Sequence, residues 1–327
     1  MRRFIGGRSN AQQLAKMEKN SKIFIAGHNG LLGSALVREL KRQGHTNLIL
    51  RPRSELDLRD QTVTQEFFCS EKPEYVFLAA AKVGGIEANR TLTGEFIYDN
   101  LQIYTNVLHS AWKTGVKKLL FLGSNCIYPK NCAQPMKEEY LLSGTVEPTN
   151  EPYAIAKIAG VKMCQAYNKQ YGTNFIAVIP ASLYGPNDNF DIAGSHFVAA
   201  MIRKFHEAKA GSKNKVELWG TGQPRREIMH VDDAARACLF LMEKYNSSDL
   251  INAGCSNDAT IHEFAQVVKE AIGFSGEIVF DTSKPDGIMK KFLDSGKINA
   301  LGWKPQIELK EGIKSTYDWY LKNISTY

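Results

Sequence analysis

Short, nearly unbroken apolar runs recur through the first half of the chain, each followed by a stretch of helical period. KIFIAG at 22–27 predicts a first strand, NLILRPR at 47–53 a second and YVFLAAA at 75–81 a third. KLLFLGS at 118–124 and FIAVIPA at 175–181 add two more. LLGSALVRELKRQG and residues 89–114 and 152–171 read as helices between them. Strands apolar on both faces, alternating with helices, belong to a parallel sheet covered on both sides. The expected fold class is therefore α/β, a doubly wound Rossmann-type parallel sheet. After about residue 182 the runs shorten to VELWG, INAGC and EIVFD, with helices around 196–209, 232–245 and 260–272. Gly and Pro accumulate there, in LYGPND, GTGQPRR and SKPDG. This change divides the chain into a predominantly nucleotide-binding domain at 21–181 and a predominantly substrate-binding lobe at 182–327, with room for elements of the lobe to return to the first domain.

Residues 1–20 lack a secretory apolar core and read as a flexible N-terminal extension, although three Arg and two Lys against one acid leave a targeting role open. No run of about 18 apolar residues predicts a membrane span. The net charge of +7 comes without a long basic block or an aromatic-interleaved patch, which argues against nucleic acid and toward a phosphate-bearing small ligand. The six cysteines show no metal-ligand spacing, and a chain of 327 residues needs no disulfide framework. No metal is expected, and a reducing, cytoplasmic setting is.

Gly27, Gly30 and Gly33 form GxxGxxG directly after the first strand, where the next helix opens. Glycine permits the tight turn and close backbone approach, and the helix N-terminus offers free N–H groups to a pyrophosphate. A tight packing turn is the alternative reading of three glycines, and the strand–turn–helix context favours the ligand. At the end of the second strand an NAD site would carry an acid for the ribose; this chain has Arg51 and Arg53. Cations there suit the 2′-phosphate of NADP, Arg53 being the stronger candidate and Asp57 a weaker ribose clamp; solvated surface charge is the plainer alternative. Lys82, in AAAKVGG at 79–85, lies at the same carboxyl rim.

Tyr153 and Lys157 are four apart in a predicted helix and share one face. A tyrosine titrating near pH 10 needs a neighbouring cation to exchange protons near neutrality, and Lys157 supplies one. Ser124, at a strand terminus, can orient a substrate oxygen. Cys126 as thiolate can take a proton beside a carbonyl, and His196 can return one. Spacing alone does not pair them, and burial in a core would explain either residue.

From KIFIAGHNGLLG to SKPDG and KKFLD the chain resembles the GDP-L-fucose synthase family of extended short-chain dehydrogenases/reductases. AAAKVGG, LLFLGSNCIYPK, QPMKEEYLLSGTVEPTNEPYAIAKIAG, LYGPNDNFD and REIMHVDDAA carry the resemblance, across residues 21–323. It implies NADPH-dependent epimerisation at C3 and C5 and reduction at C4 of GDP-4-keto-6-deoxy-D-mannose, by a homodimer. By the resemblance Ser124, Tyr153 and Lys157 form the reductive triad, with Cys126 the epimerising base and His196 its acid. Asn29, Leu31, Leu32, Leu58, Ala80 and Pro180 join the glycines, Arg53, Asp57 and Lys82 at NADP(H). Asn189, Lys204, Trp219, Arg226 and Lys291 are candidate GDP or sugar contacts, with salt bridges and lobe packing as the alternative for each. His230 and Asp232–Asp233 read as fold support and helix capping.

Two positions depart from the family. Asn125 stands where a second Ser is common, and Asn29 replaces a glycine-loop Arg, which removes one 2′-phosphate contact. A related nucleotide-sugar epimerase or dehydratase with tightly bound NAD is the nearest alternative; Cys126, His196 and Arg53 oppose it. An inactive nucleotide-binding regulator would not need the complete set of catalytic residues.

Overall fold

The computed structural model describes residues 17–191, 194–284 and 286–324. In chain order the first part runs β1 (Ile23–Ala26), α1 (Leu31–Arg42), β2 (Leu48–Ile49), α2 (Gln61–Glu71), β3 (Tyr75–Leu78), α3 (Ile86–Thr91), α4 (Thr93–Lys113), β4 (Lys118–Leu122), α5 (Glu151–Tyr171) and β5 (Phe175–Pro180). The second part runs β6 (Ser182–Tyr184), α6 (Phe197–Ala210), β7 (Lys215–Trp219), β8 (Arg225–Arg226), β9 (Ile228–His230), α7 (Val231–Lys244) and β10 (Ile251–Ala253). It ends with β11 (Ala259–Thr260), α8 (Ile261–Ile272), β12 (Glu277–Asp281), β13 (Lys290–Lys291), α9 (Gly296–Ala300) and α10 (Leu309–Asn323).

The apolar runs close into one parallel six-stranded sheet, ordered β10-β5-β4-β3-β1-β2. β1 is followed by β2 on one side and β3 on the other, so the strand order reverses at β1, where an open α/β sheet leaves a crevice at its carboxyl ends. Every residue of β1, β3 and β5 is buried, as covered faces require. β10 and α7, from the second half of the chain, belong to this sheet and its covering layer, α7 packing on α1. The INAGC run thus completes the first domain.

Several boundaries differ from the sequence expectation. β2 is two residues long, because the chain turns at the Arg-Pro-Arg segment. Residues 89–114 are not one helix: Leu92 leaves helical geometry at φ −107°, ψ 37° and separates α3 from α4. Residues 1–16 of the expected extension lie outside the described residues, but 17–20 are packed. Met17 is buried, and the carbonyls of Lys19 and Asn20 accept from Thr46 N–H and the Asn47 side chain.

The lobe has its own core, in which Phe205, Ile202, Val268, Ile272, Ile313 and Tyr320 fill the space between α6, α8 and α10. α8 shows the local rules plainly. Thr260 and Glu263 form a reciprocal capping box at its start, and Gly273 at φ 70° ends it. Around this core lie β7 paired with β12, β6 paired with β9, and the small sheet β11-β8-β13.

Candidate active site

The glycine loop folds onto the crevice beside β3. Gly27 has φ +84°, and a Cβ added there would stand 2.8 Å from the Ala80 backbone. A Cβ on Gly33 would lie 2.0 Å from the Gly27 carbonyl oxygen, so the turn closes only without side chains. Gly30 is the N-cap of α1, its own N–H donating to the Gly27 carbonyl at 3.0 Å, and no side chain caps the first N–H groups of the helix, beginning at Leu31 and Leu32. That is the cradle a pyrophosphate needs.

The two arginines beyond β2 have different partners. Arg51 is tied to Glu71 at 2.9 Å and approaches Glu55 at 4.0 Å. Arg53 projects into solvent, its nearest acid being Asp57 at 3.8 Å. Asp57 itself is gripped by Arg59 at 2.6 Å, which holds its pKa down to about 2. Arg59 also reaches Asp99 at 3.2 Å, a tether the sequence reading missed. Leu58 is buried beneath this cluster, and Pro180 ends β5 at the same rim. Lys82 is committed to Glu95 and, at 3.7 Å, Asp99, while its backbone N–H is accepted by Asn100. The uncapped helix, the close glycine turn and the projecting Arg53 together fit a dinucleotide that carries a 2′-phosphate.

Ser124 leaves β4 in extended geometry, and its Oγ accepts from Cys126 N–H at 3.4 Å, capping the single turn Asn125–Ile127. α5 starts with Pro152 in its first turn and carries Tyr153 and Lys157 to the same rim. The Tyr153 hydroxyl meets Ser124, which opposes the rise in its pKa that burial causes. Lys157 is buried beneath it, donating to the Leu122 carbonyl at 2.6 Å, with the Tyr104 and Phe121 rings at 4.9 and 5.1 Å. Burial draws its pKa down to about 7. Burial raises the Cys126 thiol, and the charges of Lys291 and Lys157 with the Ser124 hydroxyl work against that rise.

Ser124, Cys126, Tyr153 and Lys157 are thus one cluster. His196, at the N-cap of α6, has a different partner: its Nδ1 lies 3.4 Å from the buried Asp188 carboxylate, which raises its pKa above the ordinary value. Asp188 stands in LYGPNDNFD, and nothing periodic in that loop singled it out.

In the lobe, Trp219 is 68% exposed, with the Lys204 and Lys284 ammonium groups 5.9 and 5.8 Å from its ring. Lys204 also donates to the Glu217 carbonyl at 3.3 Å. Arg226 is spent on backbone, donating to the Ile288 and Arg225 carbonyls at 2.5 and 2.8 Å. Asn189 accepts from Asp191 N–H within its own loop. Lys291 shares a small pocket with Cys126 and Asn125. His230 caps α7 by accepting from Asp232 N–H, and Asp233 accepts from Gln306 and Ile307, both structural duties as expected.

Residues 23–254 match the model of the NAD dependent epimerase/dehydratase family. The chain is 57% identical over 308 residues to a putative GDP-L-fucose synthase 2 of Arabidopsis thaliana, 94% of either chain being covered. It is 50% identical over 311 residues to the GDP-L-fucose synthase of Escherichia coli strain K12, covering 92% of this chain and 97% of that one. Among solved structures, a GDP-L-fucose synthetase from Naegleria fowleri bound to NADP matches with a TM-score of 0.90 at 30% identity, over 97% of this chain and 98% of that one.

Proposed function

We propose that this chain, which belongs to the NAD dependent epimerase/dehydratase family and within it to the GDP-L-fucose synthases, inverts C3 and C5 of GDP-4-keto-6-deoxy-D-mannose and reduces its C4 ketone with NADPH. The observation that carries the reading is the single cluster of Ser124, Tyr153 and Lys157 with Cys126 at the rim of the glycine-loop crevice. Gly27, Asn29, Gly30, Leu31, Leu32 and Gly33 would hold the cofactor pyrophosphate, Arg53 the 2′-phosphate, and Ala80 and Pro180 the floor.

The 4-keto group acidifies the hydrogens at C3 and C5. Cys126 as thiolate takes one of them, an S–H bond forming as the C–H bond breaks and the electron pair moving to the keto oxygen as an enolate. His196, whose protonated form the Asp188 carboxylate favours, returns a proton to the opposite face and the ketone re-forms inverted. Once the thiol has released its proton to solvent and His196 has taken one up, the same exchange at the other flank completes the epimerisation with no change of oxidation state. NADPH supplies the hydride for C4. Tyr153 gives its proton to the developing alkoxide, Ser124 orients that oxygen, and Lys157 stabilises the phenolate left behind. Trp219 and Lys204 form an exposed platform suited to the nucleotide base and diphosphate.

Division of labour follows the two cores: 21–181 for cofactor and 182–327 for substrate, with β10 and α7 lent back. A homodimer through α4 and α5 is part of the proposal, supported by exposed Tyr98, Ile155 and Tyr171 on their surfaces; light scattering tests it. Six unpaired cysteines suit a cytoplasmic setting, which cell fractionation tests. No helix among the described residues is long and apolar enough to cross a membrane.

The deciding experiment is turnover of GDP-4-keto-6-deoxy-D-mannose with NADPH in deuterated water. GDP-L-fucose labelled at C3 and C5 is expected, and reduction without inversion would refute the reading. Tyr153→Phe should lose reduction by about 100-fold or more while exchange continues, and Cys126→Ser should lose exchange.

A further inference from the structure

Cys126 must carry a negative charge to act as a base, yet it is buried. Two ammonium groups oppose the cost of that charge, Lys157 and Lys291. The Lys157 ammonium already donates to the Leu122 carbonyl at 2.6 Å beneath the Tyr153 ring. The other cations of the Cys126 pocket are also engaged: Lys130 pairs with Glu147 at 3.0 Å and Lys290 with Asp258 at 3.4 Å. The Lys291 side chain has no hydrogen bond or ion pair among the described residues, and it lines the same pocket as the thiol.

Lys291 is also held there by more than its own strand. The loop that follows Cys126 and the segment that follows Lys291 are stitched together. Met136 N–H donates to the Phe292 carbonyl at 2.7 Å, Asp294 N–H to the Met136 carbonyl at 2.9 Å, and Phe292 N–H to the Gln134 side chain at 2.9 Å. Buried Asn252 locks the seam, its amide donating to the Met136 and Asp294 carbonyls at 2.9 and 3.1 Å. Its oxygen accepts from Tyr128, two residues past Cys126, at 2.5 Å. From the other side the Glu227 carboxylate accepts from Leu293 N–H at 2.9 Å and from Cys255 and Ser256 N–H.

We propose that Lys291 is the positioning residue that keeps Cys126 as a thiolate, and that Asn252 and Glu227 hold the segment bearing it against the Cys126 loop. The role rests on Cys126 being the epimerising base and gives that base its counter-ion. Burial works against the Lys291 ammonium, and the charges of Cys126 and Glu147 favour it; Lys291 supplies charge only, and the proton taken from carbon goes to sulfur. The groups facing Cys126 are Lys291, Lys157, Ser124, Tyr153 and Tyr104, and those facing Lys291 are Cys126, Arg226, Glu147 and Cys132.

The test needs no substrate, so it is independent of the reaction assignment. The full chain is alkylated with iodoacetamide from pH 6 to 10, and labelling at each cysteine is resolved by peptide mass spectrometry. Lys291→Met and Lys291→Gln should label Cys126 about tenfold more slowly at pH 7, with the midpoint moved to higher pH, while exposed Cys69 reports unchanged. Lys291→Arg should keep the wild-type midpoint. An unmoved midpoint in both neutral variants overturns the proposal, as does a shift that follows Lys157→Met instead. If the shift appears but Cys126→Ser still exchanges deuterium at C3 and C5, the thiolate pairing stands and the identity of the base is what fails.

Discussion

Two arginines lie within three positions at the end of β2, and only their partners separate them. Arg51 is bound to Glu71, whereas Arg53 extends into solvent with Asp57 no closer than 3.8 Å and Asp57 already neutralised by Arg59. Arg53→Ala should therefore weaken NADPH binding by about 10- to 100-fold, the worth of a charge-assisted contact, and leave NADH binding unchanged. Fluorescence titration of both cofactors checks this; an equal loss for the two would remove the 2′-phosphate from Arg53. At this scale the sequence was informative where chemistry is local. Tyr153 and Lys157 announce themselves by helical spacing, and Ser124 and Cys126 by sharing one strand end. The neighbours that tune them were not legible. Asp188 beside His196, Arg59 on Asp57 and Lys291 beside Cys126 depend on loops and strand pairings that have no periodic signature.

The position of α5 depends on its close approach to β4. A Cβ at Gly160 would come within 2.2 Å of the Phe121 ring, and that ring is itself packed edge-on against Tyr104 under Lys157. Gly160→Ala would gain helix propensity, at most about 1 kcal/mol, and lose more to overpacking, about 1–3 kcal/mol. The expected result is a thermal midpoint lower by about 2–4 °C. Reductive turnover should fall as well, because Tyr153 and Lys157 move with the helix. A variant with unchanged midpoint and turnover would mean that α5 can shift without disturbing the site. Long apolar strands and capped helices such as α8 could be read from the sequence, since burial on both faces and a Thr–Glu box leave local traces. β8, β11 and β13 could not. Each is two residues long, and Arg225–Arg226 and Lys290–Lys291 become strands only by pairing with one another.

Over the whole molecule, buried ionisable groups give the protein without ligands a stability that depends on pH in a definite order. Lys118 is buried with its ammonium donating to the carbonyls of Leu241, Met242 and Tyr245, and burial draws its pKa to about 8 from an ordinary 10.5. Lys157 is drawn to about 7. Between pH 7 and 9 the unfolded chain keeps both protons and the folded chain releases them, so stability rises with pH, by at most about 1.4 kcal/mol per pH unit for each group. Above pH 9 the sign reverses, although the lysine contribution persists toward pH 10.5. Burial raises five thiols, those of Cys126, Cys132, Cys164, Cys238 (to about 12) and Cys255, so the unfolded state there loses more protons relative to the folded state than the two lysines retain. Below pH 7 two opposing shifts overlap: His230 is lowered by burial, while Glu227 is raised to about 7. The window from 7 to 9 is therefore where the lysines act with least interference. Calorimetry of the ligand-free protein should show a thermal midpoint that climbs from pH 7, peaks near 9 and then declines. Lys118→Met should flatten the climb, and Lys118→Met combined with Lys157→Met should flatten it further, buried Lys291 being drawn down as well. A wild-type midpoint that is level or falling between pH 7 and 9 would mean that the carbonyl acceptors around these ammonium groups outweigh their burial.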